Sequence, residues 1–258
     1  MDDKPCAFCS TTANITGEHL FSDWINKILG LRKKNKVFLV TEFGLDGKPV
    51  RSYPSAKLNL KVPVVCDKCN NGWMSDIENN RAKPAMADLI LSDEGKLLTP
   101  ENIESIAVFA FKCLAIGDYS LETGVREETI ISQSVRDEFK KSLSLPPGFQ
   151  LWLAAFQEEG HGIFQGMYHT PPAESDRRFE FYALTFGSGF FLCQALFGRS
   201  LSSFPRPFSG VRQGPAWNKF AIPVWPASGT HVLWPPKKPL TVDMARRIFP
   251  HRWNRIYV

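Results

Sequence analysis

Two cysteine pairs near the start of the chain restrict its folding more than any other feature of the sequence. The pairs are Cys6-Ala-Phe-Cys9 and Cys66-Asp-Lys-Cys69, and each has the Cys-x-x-Cys spacing. This spacing lets one turn present two thiolates to the same ion, so two pairs supply the four ligands of a tetrahedral site. Thiolates are soft donors, which favour zinc. We therefore predict that the four cysteines bind structural Zn²⁺ and hold together an N-terminal unit with little core of its own.

Polar residues of catalytic type lie beside these pairs. Glu18 and His19 are adjacent, and Asn70 directly follows the last cysteine. A histidine titrates near neutrality and can accept a proton from water, whereas carboxylate and carboxamide oxygens suit Mg²⁺ or Mn²⁺. Hydrolysis of a phosphodiester needs an activated water and a cation that neutralises charge on the phosphate. The cysteines taken alone are equally consistent with a zinc site that is purely structural.

Three segments together resemble the zinc-bearing branch of the HNH, or His-Me finger, endonucleases. They are Cys6-x-x-Cys9, Ile15-Thr16-Gly17-Glu18-His19-Leu20-Phe21-x-x-Trp24-Ile25 and Cys66-x-x-Cys69-Asn70-Asn71-Gly72-Trp73-Met74. The resemblance implies a ββα-metal motif over residues 1–80, in which a two-stranded hairpin and a helix cradle one divalent ion. It also implies His19 as general base, Glu18 as a ligand of catalytic Mg²⁺ or Mn²⁺, and Asn70 as a second ligand or orienting group. The products would carry a 5′-phosphate and a 3′-hydroxyl.

The chain departs from the family pattern at several points. The first acid is glutamate where aspartate or histidine is more usual, and no histidine follows Asn70 closely. Glu78 or Asn71 could supply a further metal ligand, although an exposed charge on a helix is the commoner role for a residue such as Glu78. The stretch from His19 to Asn70 is longer than the compact motif needs, so we interpret part of it as an insertion into the hairpin arm.

This insertion has its own pattern. We expect a short amphipathic helix over residues 21–30 and strands at Val37–Phe43 and Leu58–Val65. Between the helix and the first strand lies a basic run. It is the first candidate for contact with DNA phosphates, with a solvated loop as the alternative, and its charged members are Arg32, Lys33, Lys34 and Lys36.

Residues 81–258 predict a larger α+β domain with an antiparallel sheet, so the fold class is α+β. Thr99 and Pro100 begin an apolar helix that ends at Gly117 and should be buried. The uncharged stretch Phe181–Gly198 is long enough to be considered as a membrane span, but Gly187-Ser188-Gly189 at its middle indicates a buried β-hairpin. Further elements are expected as a helix at Val135–Leu143, strands at Gln150–Phe156, Gly162–Tyr168, Phe220–Val224 and His231–Trp234, and a helix at Val242–Ile248.

Charge is distributed unevenly along the chain. Residues 201–258 contain nine basic and one acidic side chain, whereas residues 81–200 contain 11 basic and 16 acidic ones. Aromatic residues interleave with the arginines of the basic tail, which is a composition typical of nucleic-acid contact surfaces. Pairing of these arginines with the acidic middle segment explains the pattern equally well. The arginines are Arg246, Arg247, Arg252 and Arg255.

The sequence thus predicts a metal-dependent endonuclease that hydrolyses DNA, with RNA not excluded as a substrate and with no membrane as partner. A role in phage defence or in a mobile element is consistent with such an enzyme. One metal site cuts one strand at a time, so double-strand cleavage would need a homodimer. The absence of a secretory signal together with the cysteine spacing predicts a cytoplasmic protein. The alternative is a non-catalytic zinc-knuckle module that binds nucleic acid or a protein partner.

Overall fold

The computed structural model describes residues 5–20, 22–30, 38–43, 49–55, 61–119, 129–156, 163–169, 181–198, 219–241, 244 and 252–257. Within these ranges the chain forms an α+β fold with antiparallel sheets, which confirms the predicted class. No helix of these residues is both long enough and apolar enough to cross a membrane. Phe181–Gly198 forms two paired strands, as the glycine turn predicted.

The N-terminal unit is a two-stranded ribbon that continues into a helix. Strand β1 (Ile15–His19) pairs antiparallel with β4 (Lys61–Cys66), so that Ile15 lies opposite Cys66 and His19 lies opposite Lys61. Strand β4 leads without a loop into a helical run. The run consists of α2 (Asp67–Cys69), π-helical turns at Asn70–Met74 and Ile77–Ala82, and α3 (Lys83–Leu91), and its backbone is irregular at Gly72.

The strands inserted between β1 and β4 belong to a different sheet. They are β2 (Phe38–Phe43) and β3 (Pro49–Ser55), and β2 pairs with a strand from the end of the chain. The insertion therefore extends the large sheet instead of lengthening the ribbon. The expected boundary near residue 80 lies inside the helical run, and one apolar core includes residues from both sides of it.

The large sheet has eight strands in the order β10-β6-β9-β8-β7-β12-β2-β3, and all neighbours are antiparallel. Its remaining members are β6 (Phe149–Ala155), β7 (Ile163–His169), β8 (Phe181–Ser188), β9 (Phe191–Gly198), β10 (Ala221–Trp225) and β12 (Arg252–Tyr257). The predictions of β6 to β10 are confirmed to within a few residues. Strands β3 and β12 were not predicted, and the helix expected at Val242–Ile248 lies almost entirely outside the described residues.

Helix α4 (Pro100–Gly117) joins the N-terminal unit to the sheet. It begins as predicted, because the Thr99 side chain accepts a hydrogen bond from the backbone of Asn102 while the Asn102 side chain accepts one from the backbone of Thr99. One side of α4 packs on the helical run 67–91 and another on the sheet, where Phe109 contacts Phe186 edge-on with ring centroids 6.2 Å apart. The helix is therefore enclosed over most of its length.

The remaining elements are short. They are α1 (Asp23–Ile28), α5 (Gln133–Ser142) and a small ribbon in which β5 (Lys96–Leu98) pairs with β11 (Val232–Trp234). The hairpin turn between β8 and β9 contacts the end of α3, where the Phe190 backbone N–H donates to the Ile90 carbonyl at 3.0 Å. Gly189 in that turn has a φ of +57°, and any side chain there would overlap the Ile90 carbonyl. The sheet and the N-terminal unit are thus in direct contact at this turn.

Candidate active site and metal centre

The four predicted cysteine ligands meet in one group, which we call the thiol cluster. Its members are Cys6, Cys9, Cys66 and Cys69, and their Sγ atoms all lie within 4.8 Å of one another. None of them forms a disulfide, and Cys9 Sγ is 3.5 Å from Cys66 Sγ. A zinc ion bound at ~2.3 Å to four sulfurs separates them by about 3.8 Å, so the arrangement fits a tetrahedral site. Among the described residues, it is the one group of three or more His, Cys, Asp or Glu side chains that lie close enough together to hold a metal ion.

Local backbone contacts explain why two distant pairs converge. The first pair lies in a tight turn in which the Ser10 N–H donates to the Cys6 carbonyl at 3.0 Å. The Ala7 N–H then donates to the Val64 carbonyl at 2.8 Å, which fixes this turn beside β4. The second pair lies where β4 becomes helix, at the position that the ribbon register sets opposite Ile15. Strand pairing and one turn therefore bring the four sulfurs together.

Burial and hydrogen bonds within the cluster shift the pKa values of three of the thiols. Burial raises the pKa of Cys69 to about 12 and also raises the pKa of Cys9. Burial would also raise the pKa of Cys66. Hydrogen bonds with the backbone and thiol of Cys69 and with the Cys9 thiol outweigh this effect, so the pKa of Cys66 is lowered. Zinc binding requires deprotonated thiols, and the positive charge of the ion would oppose the effect of burial on Cys9 and Cys69.

Aromatic packing supports the thiol cluster from the side of α5. Trp73 contacts Phe8 edge-on at 5.1 Å and Phe139 at 5.9 Å between ring centroids. The Gln133 side chain also donates to the Ala7 carbonyl at 3.1 Å. The cysteine turn therefore packs on the second half of the chain as well as on the ribbon.

A second polar group lies between β1, the helical run and α4. We call it the carboxylate cluster and define it as Glu18, Glu78 and Lys112. Lys112 Nζ is fully buried, lies 2.6 Å from Glu18 Oε1 and also contacts Glu78 Oε1. Glu18 is 3% exposed. Glu78 was expected as an exposed helix charge, and the structure instead gives it a buried partner.

The charges of this cluster depend on one another. Burial acts to lower the pKa of Lys112, but the two facing carboxylates outweigh it and raise the pKa, so the ammonium stays charged. Burial raises the pKa of Glu18, which Lys112 opposes and Glu78 reinforces. The two shifts have opposite implications for the ion pair. The ammonium form of Lys112 is favoured, because it contacts two carboxylates and either of them can supply the counter-charge.

The predicted catalytic residues lie close to these clusters. The Asn70 carboxamide donates to Thr16 Oγ1 at 3.1 Å, and this hydroxyl in turn donates to the Val65 carbonyl at 3.2 Å. His19 is the last residue of β1 and is half-buried. Because Glu18 and His19 are neighbours on a strand, their side chains leave the backbone on opposite faces. The structure therefore brings Asn70 against the strand that carries the acid–histidine pair.

The other predicted contact residues are less informative. The Asn71 carboxamide donates to Asp67 Oδ1 at 2.6 Å. Arg252 and Arg255 lie in β12, in the interior of the sheet, and their side chains are outside the described part of the chain. The other six predicted nucleic-acid contacts lie outside the described residues. They are the basic run Arg32, Lys33, Lys34 and Lys36 and the tail arginines Arg246 and Arg247. The nucleic-acid surface remains a prediction.

Lys112 was missed by sequence reasoning although a signal was present. It is a single lysine in a helix that is otherwise apolar on nearly every side. Lysine is almost never fully buried unless it is paired, so such a position predicts a buried carboxylate partner. The sequence gave no indication of which acid that would be, because Glu18 lies 94 residues away along the chain.

Comparison with known proteins gave no match: no family model, no curated protein and no solved structure is significantly similar to the chain. The resemblance to HNH endonucleases therefore remains a hypothesis that rests on the motifs and on the local geometry.

Proposed function

We propose that this protein is a zinc-stabilised, metal-dependent endonuclease of the HNH type. The observation that carries the proposal is the hydrogen bond between Asn70 and Thr16, which joins residues 54 positions apart. It holds the start of the helix against the strand that bears Glu18 and His19. A ribbon followed by a helix, with an acid–histidine pair on one element and an asparagine on the other, is the arrangement that this chemistry needs.

In the proposed reaction His19 accepts the proton of the attacking water. Its imidazole is half-buried at the end of β1, so it combines a fixed position with access to solvent. Asn70 and Glu18 supply hard oxygen donors for Mg²⁺ or Mn²⁺, and such an ion would stabilise charge on the phosphate. The donor types fit the ion. Glu18 fits only in part, because Lys112 already contacts one of its oxygens.

Zinc in the thiol cluster has a structural role in this proposal. The four sulfurs are soft donors that lie within 4.8 Å of one another, and as four ligands they would complete a tetrahedral site with no position for water or substrate. The bound ion would fix the end of β4 and the first turn of the helix. Asn70 directly follows the last cysteine, so its position depends on this site.

Plasmid nicking tests the proposal. We expect zinc-loaded wild-type protein to nick supercoiled DNA in Mg²⁺ or Mn²⁺ and not in buffer without either. His19→Ala should lower the rate by about 10²- to 10⁴-fold, because a general base contributes on that scale. Zinc content and melting temperature should stay nearly unchanged. The exposed His231 provides a matched control, and His231→Ala should retain full activity. Equal nicking by His19→Ala and wild type would refute the assignment of the base.

A second candidate function is a non-catalytic zinc module that binds nucleic acid or a protein. The observation in its favour is the ammonium of Lys112, which already neutralises Glu18. A gel-shift assay beside the nicking assay separates the two candidates. Binding of DNA without metal-dependent nicking would support the module and reject the nuclease.

A further inference from the structure

The ribbon of β1 and β4 has a buried face and an outer face. Glu18 and Val62 lie opposite each other on the buried face. The positions on either side of them belong to the outer face, because side chains alternate along a strand. On that face Lys61 and Pro63 are exposed and His19 is half-buried. The proposed base therefore lies on the opposite side of the ribbon from Glu18.

Lys61 is the cross-strand partner of His19 in the ribbon register. Residues that lie directly opposite each other in an antiparallel pair project from the same face, with Cβ atoms about 4.5–5.5 Å apart. The Lys61 side chain is exposed, and among the residues that the structure describes no acid forms an ion pair with it. Lys96, by contrast, has Asp88 at 2.6 Å. The Lys61 ammonium is therefore available to an anion that approaches His19.

Gly17 explains where the stem of Lys61 lies. A Cβ atom at residue 17 would be 3.3 Å from Lys61 Cβ and 3.4 Å from Lys61 Cδ. The φ of Gly17 is not positive, so the backbone there does not require glycine. Glycine inside a strand often marks the close approach of another group. Here that group is the lysine stem, which crosses β1 beside the outer face of His19.

We propose that Lys61 binds a backbone phosphate of DNA, and that Gly17 provides the space in which its stem crosses the ribbon. The inference rests on the proposed function for the identity of the substrate, and it assigns a second residue that touches this substrate beside His19. A lysine ammonium binds phosphate as a compact point charge. Such a contact positions the DNA without reading its sequence.

An exposed ammonium contributes to substrate binding before and during the reaction alike. Its loss should therefore raise KM and leave kcat nearly unchanged. A lysine that only keeps the ribbon soluble would make no phosphate contact, and its loss would change neither the DNA affinity nor KM. The DNA affinity and its salt dependence therefore separate the two roles.

Fluorescence anisotropy with a labelled DNA duplex measures this contact. Zinc-loaded protein is used without added Mg²⁺ or Mn²⁺, so that cleavage does not interfere, and the salt concentration is varied. Each phosphate contact contributes about −0.9 to the slope of log affinity against log salt concentration. We expect Lys61→Met to bind about fivefold more weakly, with a slope less steep by about 0.9. Wild-type affinity and slope in Lys61→Met would overturn the proposal.

Lys141 provides a matched control. It is exposed in the last turn of α5 and, within the described part of the chain, it too has no ion pair. Lys141→Met removes the same charge and should keep the wild-type affinity and slope. Lys61→Arg keeps the charge on the ribbon and should also keep the slope. Equal losses in Lys61→Met and Lys141→Met would assign the effect to net charge and reject the site.

Gly17→Val tests the position of the stem while the charge is kept. Valine suits a strand, so zinc content and melting temperature should not fall. We expect weaker DNA binding than in wild type, but a smaller loss than in Lys61→Met, because the flexible stem can partly take another path. In the Lys61→Met background Gly17→Val should cause no further loss. Equal losses in both backgrounds would overturn the role of Gly17.

The phosphate contact and the nuclease fail separately. A less steep salt slope in Lys61→Met, without nicking by any variant, would support the contact and reject the nuclease. Metal-dependent nicking by wild type, together with unchanged affinity, slope and KM in Lys61→Met, would support the nuclease and reject the contact. Absence of DNA binding by the wild-type protein would also reject the contact.

Discussion

The thiol cluster and the carboxylate cluster stabilise the same ribbon and helix by different means. Both join β1 or its preceding turn to the helical run that follows β4. The thiol cluster, as defined above, consists of four ionisable thiols. The carboxylate cluster contains two acids and has its own ammonium.

The difference shows two ways to compensate buried negative charge. A cluster without a cation depends on an ion from solution, so its stability depends on metal supply and on chelators. A cluster with a lysine is complete within the chain and needs no metal. The first arrangement can be recognised from spacing, because ligands come in local pairs. The second depends on a helix that lies far away in the sequence.

The largest expected effect comes from removing one thiol. Cys66→Ser should eliminate zinc binding and unfold the ribbon. The apparent binding free energy of structural zinc is about 10–16 kcal/mol, which is comparable to the whole unfolding free energy of a domain. Hydrogen-exchange mass spectrometry should show loss of protection in β1 and β4, and elemental analysis should show loss of the metal.

Cys113→Ala is the matched control for this change. Cys113 is also a fully buried free thiol, but it lies in α4 outside the thiol cluster. The Cys113→Ala variant should keep its zinc and the hydrogen-exchange protection of β1 and β4. If Cys66→Ser retained both as well, the thiol cluster would not be what stabilises the ribbon.

A smaller effect is expected when the acids of the carboxylate cluster are removed. Glu18→Gln combined with Glu78→Gln leaves the Lys112 ammonium buried without a counter-charge, and this should cost about 3–5 kcal/mol of unfolding free energy. Adding Lys112→Met to the same protein removes the last charge and should recover most of that loss. Urea denaturation of the double and triple variants measures the difference.

This recovery would sharpen the contrast between the clusters. All charges of the carboxylate cluster can be replaced together, because its acids and their counter-ion all belong to the chain, whereas no such set of changes should restore a thiol cluster without its metal. A triple variant as unstable as the double one would show instead that the specific hydrogen bonds of Glu18 and Glu78 matter more than their charge.

The smallest effect should come from Asn70, which lies between the clusters. Asn70→Ala removes the hydrogen bond to Thr16 and should lower the unfolding free energy by about 1 kcal/mol, with zinc content unchanged. Asn79→Ala is the matched control, since that exposed side chain donates to Ser75 in the same helical run and its loss should cost less than about 0.5 kcal/mol. Thermal unfolding of the two variants and of the wild type measures both losses of unfolding free energy. Equal costs would mean that Asn70 contributes nothing special to the contact between helix and ribbon.

Much of the local structure could be predicted from sequence because its causes are local. The Thr99–Pro100 start and apolar periodicity of α4 predicted its bounds, and the glycine turn at Gly189 predicted the hairpin of β8 and β9. The thiol cluster was predicted by the same kind of reasoning, since the spacing within each pair is set by a single turn. The role of His19 stays a prediction, as does the nucleic-acid surface.

Long-range pairing could not be predicted in this way. Strand β12 lies between β7 and β2, which joins the end of the chain to the insertion near its start, and no periodicity indicates such a partner. Strand β3 has two prolines and a polar composition, so its pattern did not resemble a strand. Its position at the edge of the sheet tolerates both features.

The sequence by itself determined the bounds of α4, the hairpin of β8 and β9 and which four cysteines come together, because these depend on spacing and on neighbours along the chain. Only the tertiary structure decided that Lys112 meets Glu18 and Glu78, and that the insertion joins the large sheet. The physical reason is that burial forces a charged side chain to find a partner without specifying which one. The packing of α4 between the ribbon and the sheet places Lys112 against Glu18 and Glu78.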